Sequence, residues 1–97
     1  MSAPVARKQV TVVNSQGLHV RAADKFAKLA TDFKSQVEII RDDKRVDGKS
    51  ILSIFGLVAG PGTDLVIEAV GEDAQQAVDA LAELIEKKLP ADEAAEQ

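Results

Sequence analysis

The sequence contains no cysteine, tryptophan or tyrosine, and it contains a single histidine, His19. Without cysteine, a disulfide framework, a thiol nucleophile and a thiolate metal site are all excluded. One histidine leaves a structural zinc site almost no nitrogen ligands. Only three phenylalanines and a net charge of −4 argue against nucleic acid, which attracts basic surfaces and stacks on aromatic rings. We therefore expect no metal, no cofactor and no nucleic-acid partner.

Long apolar runs are also missing. No segment is long enough to cross a bilayer, and the N-terminal MSAPVARKQ lacks the apolar region of a signal peptide. We expect a cytoplasmic monomer without membrane insertion. Ninety-seven residues, 45% of them hydrophobic, suit one domain with a modest core. We expect that core over residues 7–88, with flexible ends at 1–6 and 90–97, because ADEAAEQ carries three acids and no base.

Hydrophobic periodicity gives the order of the elements. Alternation predicts strands over 7–14, 35–41, 45–47 and 64–70. Helical spacing predicts helices over 20–33, from 51 for one or two turns after an N-cap at Ser50, and from Asp73 to just before Pro90. Asp73 and Gln76 resemble a capping box. Each strand has one strong apolar face. The pattern predicts an α+β fold, a four-stranded, mainly antiparallel sheet with three helices on one face.

His19 stands where the first strand gives way to the first helix. A lone histidine at such a place is more often a cap or a surface residue than a catalytic group. Serines are available for a Ser-His-Asp triad, but none lies in a nucleophile elbow, and so small a chain leaves little room for a substrate cleft. The N–H groups of a first helical turn, by contrast, lack intrahelical partners and attract anions.

Two neighbours strengthen the hypothesis of an anion site. Gly17 would let an anion approach without a side chain in the way, and Arg21 would place a guanidinium beside it. A phosphoryl group on His19 would therefore meet free amides and a fixed cation. His19 could then act as a covalent acceptor and donor of that group.

Three segments resemble one known family. GLHVRAA (Gly17–Ala23), GKSILSIFGLVAGPGT (Gly48–Thr63) and VGEDAQQAVDALAELI (Val70–Ile85) are similar to the active site, the second helix and the last helix of HPr. HPr is the histidine-containing phosphocarrier family of the bacterial phosphoenolpyruvate-dependent phosphotransferase system. The resemblance covers about residues 7–88 in the right order. It implies an open-faced β-sandwich with the element order βαββαβα.

The resemblance also implies a mechanism. Phosphorylated enzyme I would phosphorylate His19 on Nδ1, and His19 would pass the group to an enzyme IIA domain, as a carrier rather than a stand-alone enzyme. Arg21 would steady the phosphate, and the amides of Val20, Arg21 and Ala22 would cradle it, with no cofactor. Two positions depart from the family: Ala22 stands where proline is usual, and Val20 where alanine or threonine is common.

Ser50 falls at the family's regulatory serine, the target of HPr kinase/phosphorylase in many bacteria. The simpler interpretation is that Ser50 only caps its helix. Helical spacing cannot bury every apolar residue that follows, so we expect one or two of them exposed beside His19 as a docking patch. Lys49 and Arg21 would form its basic rim. The candidates for the patch are Val20, Ile51, Leu52 and Phe55.

Two alternatives remain open at this point. One keeps the fold and the histidine but makes the protein a nitrogen-branch or regulatory phosphocarrier. The other is a non-catalytic interaction module in which His19 only caps its helix.

Overall fold

The computed structural model describes residues 3–95, so Met1, Ser2, Glu96 and Gln97 lie outside the described range. Its strands are β1 (Val5–Thr11), β2 (Gln36–Arg41), β3 (Lys44–Asp47) and β4 (Asp64–Val70). Its helices are α1 (Val20–Thr31), α2 (Ile51–Phe55) and α3 (Ala74–Glu83), and α3 continues through a π-helical turn (Leu84–Lys88) into α4 (Leu89–Ala95).

The four strands form one sheet in the order β1-β4-β2-β3, and every neighbouring pair is antiparallel. Val10 pairs with Leu65, and Ile39 pairs with Ile67, so the apolar faces of the strands are in register. This confirms the predicted α+β open-faced sandwich. β2 and β3 are joined by a two-residue turn in which Asp42 has a positive φ of 55°, a conformation that aspartate tolerates better than most residues.

The core lies between the sheet and the helices. The alternating residues of the strands and the periodic stripes of α1 and α3 are buried, as their spacing predicts. The largest side chains with almost no exposed surface are Phe26, Ile39, Ile54, Leu65, Ile67, Leu81 and Ile85.

The opposite face of the sheet carries a cluster of charged side chains. Glu68 projects from the middle of β4, and it accepts hydrogen bonds from Arg7 of β1 and from Arg45 of β3, with Arg45 also reaching Glu38. Burial acts to raise the pKa of Glu68, but the hydrogen bonds from Arg45 and Arg7 lower it below its usual value. This face is therefore held together by charge pairs.

The predicted capping box at α3 is wrong. The Asp73 side chain makes no capping hydrogen bond within its own helix. It accepts instead from the N–H groups of Lys34 and Ser35, at 2.8 and 2.9 Å, and from the Ser35 hydroxyl. Asp73 thereby ties the start of α3 to the chain that follows α1, which ends at Thr31 rather than at 33.

Both ends of the chain also differ from the expectation. Val5 and Ala6 belong to β1, and residues 89–95 are helical where a frayed tail was expected. Pro90 does not end the helix, which continues from α3 through the π-helical turn into α4. Leu89 is buried, so α4 is anchored to the core. Within residues 3–95, no helix is long and apolar enough to span a membrane.

Candidate functional site

The loop from β1 to α1 is fixed by backbone hydrogen bonds to the segment before β4. The Val12 N–H donates to the Thr63 carbonyl at 2.9 Å, and the Leu18 N–H donates to the Ala59 carbonyl at 2.9 Å. Inside the loop, the buried Asn14 side chain donates to the Gly17 carbonyl at 2.8 Å. His19 is thus presented from a loop whose backbone is largely bonded.

Gly17 serves a different purpose from the one expected. Its φ is +64°, and a Cβ at this position would overlap the Ala59 carbonyl and the Gly60 backbone. The residue is buried. Gly17 is therefore required for close packing of two backbone segments rather than for the approach of an anion.

His19 is the N-cap residue of α1, with extended backbone angles (φ −71°, ψ 178°). Its carbonyl accepts from the Ala23 N–H at 2.8 Å. Its imidazole makes no capping hydrogen bond within the described chain. The side chain is partly exposed and is not used to cap the helix, which weakens the interpretation of His19 as a structural cap.

The imidazole borders two different hollows. One is small, about 30 Å³, and its lining includes two cations, the predicted Arg21 and also Lys25. The other is an apolar groove of about 310 Å³ formed with Leu18, Phe55, Val58 and the backbone around them. His19 therefore has a charged side and an apolar side.

The three amides expected to cradle a phosphate are not equivalent. Helix geometry leaves the N–H groups of Val20, Arg21 and Ala22 without intrahelical acceptors. Val20 and Arg21 are exposed, whereas Ala22 has no exposed surface. Of the three amides, that of Ala22 is therefore shielded from solvent.

The exposed apolar surface of α2 is larger than expected. Ile54 is buried, but Ile51, Leu52 and Phe55 are all exposed, where one or two exposed residues were predicted. Val20 is exposed too. Val58, which the sequence reasoning missed, is 77% exposed and lines the apolar groove with His19. Its positive φ of 52° is strained for a β-branched residue, and no sequence pattern signals it.

Lys49 is held by a hydrogen bond that the sequence does not predict. Its ammonium donates to the Phe33 carbonyl at 2.8 Å, beyond the C-terminal end of α1. His19 caps the opposite end of that 12-residue helix, about 18 Å away. The ammonium of Lys49 is therefore held away from the imidazole, and its place on the rim of the docking patch, two residues before Ile51, stays a prediction.

Ser50 caps α2 as predicted. Its hydroxyl accepts from the Ser53 N–H at 3.3 Å, and its backbone is extended. The same hydroxyl is only partly buried. The Ser50 hydroxyl oxygen that caps α2 is therefore the atom that corresponds to the phosphorylated oxygen of the family's regulatory serine.

A group of residues from α4 reaches the histidine loop. Glu93 accepts from the Ser15 N–H and hydroxyl, both at 2.8 Å, and from the Gln16 N–H at 3.2 Å. Asp92 pairs with Lys25 at 2.9 Å. The hydrogen bonds from Ser15 and Gln16 lower the pKa of Glu93 below its usual value. Sequence reasoning missed these contacts because it treated the acidic tail as solvated.

Groups that could hold a metal are missing from the part of the chain that is described. Over residues 3–95, no three His, Asp or Glu side chains cluster in a way that could bind an ion. The groups that could act on an anion are the imidazole, the neighbouring cations and the first-turn amides.

Comparison with known proteins agrees with this geometry. The family model for the PTS HPr component phosphorylation site matches residues 6–87. Phosphocarrier protein HPr of Pseudomonas putida is 47% identical over 79 residues, covering 80% of this chain and 88% of the relative. Phosphocarrier protein NPr of Shewanella violacea is 38% identical over 81 residues, covering 84% and 89%.

A solved structure extends the agreement to three dimensions. The crystal structure of HPr-C-His from Thermoanaerobacter tengcongensis superposes with a TM-score of 0.82 at 36% identity, covering 86% of this chain and 93% of that one. With the family model matched over most of the chain, these relatives identify a phosphocarrier fold. This chain belongs to the HPr family of the phosphotransferase system.

Proposed function

We propose that this protein accepts a phosphoryl group from phosphorylated enzyme I on His19 and passes it to an enzyme IIA domain. The observation that carries the proposal is the position of the imidazole. It stands at the N-terminus of α1 without capping it, beside Arg21 and Lys25. The family match supports the same role, and it supports a cytoplasmic place for the reaction.

The proposed step exchanges one phosphorus–nitrogen bond for another. A ring nitrogen of neutral His19 attacks the phosphorus of the donor's phosphohistidine with its lone pair. The donor's phosphorus–nitrogen bond breaks, and its electron pair returns to the donor imidazole. The N–H proton on the other nitrogen of each ring stays in place, so protons balance. By the resemblance to HPr, the attacking atom of His19 is Nδ1.

The environment of His19 suits this exchange. The first-turn amides of Val20 and Arg21 carry the positive end of the helix dipole, worth about 0.3–1 kcal/mol to a nearby anion. The Arg21 guanidinium adds charge-assisted hydrogen bonds. Neither group forms a covalent bond. Their contribution is to hold the phosphoryl group in one orientation for the next acceptor.

We assign partner docking to the apolar surface next to His19. It consists of Val20, Ile51, Leu52 and Phe55, and we add Val58, which lines the same groove as the imidazole. Exposed apolar patches of this kind mark protein interfaces. Enzyme I and the enzyme IIA domain would cover this surface in turn, since both must reach His19. The carrier would act as a monomer.

Ser50 is the proposed regulatory site. Its phosphate would add about −1.5 to −2 charges at the N-terminus of α2, next to exposed Ile51 and Leu52. The helix dipole favours that charge, so α2 should stay folded. The effect would be on docking, since a charged group would border the apolar surface.

The nitrogen branch is the second candidate. The similarity to NPr of Shewanella violacea favours it, because carriers of both names match a comparable share of this chain. The site chemistry would be identical and only the partners would differ. Enzyme I preparations from the two branches therefore decide between these functions.

The test is phosphorylation in vitro. The protein is incubated with Mg²⁺, phosphoenolpyruvate and enzyme I of either branch, and its intact mass is followed. We expect an acid-labile, base-stable gain that His19→Ala abolishes. The branch whose enzyme I acts faster is the one served.

Two results would contradict the proposal. One is no gain with active preparations of both enzymes I. The other is an undiminished gain in His19→Ala. For Ser50, we expect HPr kinase/phosphorylase and ATP to add an acid-stable phosphate that Ser50→Ala removes. The matched control Ser53→Ala should keep it.

A further inference from the structure

Helix α4, which contacts the histidine loop, lies outside the part of the chain that is matched to the family. The family model ends at residue 87, and α4 begins at Leu89. Yet a single carboxylate of α4, that of Glu93, accepts three hydrogen bonds from Ser15 and Gln16, a few residues before His19. The next carboxylate, Asp92, pairs with Lys25 of α1. Two negative groups therefore already occupy donors beside the imidazole.

The space between these groups is small and lined by charges of both signs. The hollow on the charged side of His19 measures about 30 Å³, room for one or two water molecules. Leu89, Asp92 and Glu93 form one of its walls, and Arg21 and Lys25 lie among its other lining residues. A phosphoryl group that used those cations would face two carboxylates at short range, and like charges in such a position repel.

We propose that α4 is a strap that closes over the charged side of unphosphorylated His19 and is released when His19 carries a phosphoryl group. This inference rests on the proposed phosphocarrier function. The phosphate oxygens replace Asp92 as the partner of the Lys25 ammonium. Repulsion between the phosphate and the Glu93 carboxylate breaks the hydrogen bonds that Glu93 accepts from the Ser15 and Gln16 amides. The described residues of α4 do not line the apolar groove that His19 forms with Phe55 and Val58, so that groove stays open.

The strap contacts also affect the phosphorylation equilibrium of His19, because the coupling between two sites is reciprocal. If phosphorylation weakens the strap contacts, those contacts weaken phosphorylation by the same factor. The strap therefore raises the tendency of His19 to give its phosphoryl group away. Removing the two carboxylates should make phosphorylated His19 more stable relative to the free imidazole.

The test measures that equilibrium. Enzyme I couples the protein to mixtures of phosphoenolpyruvate and pyruvate, and the ratio that gives half-phosphorylation is determined. Asp92→Asn/Glu93→Gln should need a ratio lower by about fivefold or more. The control Asp32→Asn/Glu72→Gln removes the same charge from exposed sites near the far end of α1 and should match the wild type. Equal ratios in all three proteins would overturn the strap.

A second measurement follows the strap itself. Amide exchange of residues 89–95 and of Ser15 and Gln16 is compared with and without phosphoenolpyruvate in the presence of enzyme I. Exchange should accelerate on phosphorylation of the wild type, and should already be fast in Asp92→Asn/Glu93→Gln. A wild type that is phosphorylated on His19 with unchanged exchange overturns the strap alone. A wild type that takes no phosphoryl group overturns the carrier function and the strap together.

Discussion

Gly17 shows how one residue sets the position of the reactive group. Its left-handed backbone packs against the Ala59 carbonyl, and the adjacent Leu18 N–H donates to that same carbonyl. The loop that ends at His19 therefore depends on a residue without a side chain. Both contacts concern packing and not the transfer of a phosphoryl group. A substitution at Gly17 would therefore lower activity by disturbing the fold.

We expect Gly17→Ala to lower the free energy of unfolding by about 2–4 kcal/mol, because it adds left-handed strain to a steric overlap with backbone. Urea unfolding measures the loss. Gly60→Ala is the control, since a Cβ there meets nothing within 4 Å, and it should be nearly neutral. Equal losses in the two variants would contradict this account of Gly17.

Ala22 occupies a position where the family usually has proline. Its N–H precedes the first intrahelical bond, which Ala23 donates to the His19 carbonyl. We expect Ala22→Pro to change stability by no more than about 1 kcal/mol. Ala23→Pro removes that bond and should cost about 3 kcal/mol. Thermal unfolding of the pair measures the difference, and similar losses would show that the two amides are equally used.

At the scale of elements, single carboxylates join segments that are distant in sequence. Asp73 holds the start of α3 to Lys34 and Ser35, 38 or 39 residues away. Glu93 holds α4 to Ser15 across 78 residues. Each carboxylate accepts backbone N–H groups that would otherwise lack acceptors, so each acts as a cap for a loop rather than for its own helix.

Asp73 gives a prediction for pH. Hydrogen bonds, first from the Ser35 hydroxyl and then from the Lys34 amide, lower the pKa of Asp73. The unfolded chain therefore binds the proton more readily, and this contribution to stability is present at neutral pH and lost as the pH falls below about 4. We expect wild type to be more stable than Asp73→Asn at pH 7 and the gap to close towards pH 3. Urea unfolding checks this.

The neighbouring carboxylate provides the control for that experiment. Glu72 is exposed. Glu72→Gln should run parallel to wild type across the same pH range. A gap for Asp73→Asn that is constant with pH would show that the carboxylate charge is not what stabilises this contact.

The sequence predicts the fold better than it predicts the site's surroundings. β4 has the predicted bounds, and β2 and β3 agree within one residue, because strict alternation and flanking turn residues define strands locally. His19 and Ser50 are at helix starts as expected. Asp73 and Glu93 differ from expectation because their partners are brought near only by folding. Charge composition alone cannot identify such partners.

For the whole molecule, the two faces of the sheet carry different kinds of side chains. One face carries the charge pairs around Glu68, and the other carries the helices, with apolar side chains left exposed near His19. An acidic protein can thus present a locally apolar surface to its partners. Specific docking then relies on the few exposed apolar residues at its centre.

Leu52 can test the role of the exposed apolar residues, because its side chain is 82% exposed and packs little against the core. We expect Leu52→Asp to leave stability within about 0.5 kcal/mol and to raise the KM of enzyme I for this protein about tenfold. Val5→Asp is the control, since Val5 is 58% exposed on β1, outside the patch. Steady-state phosphorylation rates measure both. An unchanged KM for Leu52→Asp would exclude it from the interface.

The π-helical turn determines the direction in which α4 faces. Leu84–Lys88 holds one more residue than an α-helical turn of the same height, and each residue of an α-helix advances the chain by about 100°. Deleting Lys87 would restore regular winding and rotate Asp92 and Glu93 by that angle, away from Lys25 and Ser15. One additional residue in the π-helical turn therefore sets the rotation of α4 about its axis, and with it the direction in which Asp92 and Glu93 point.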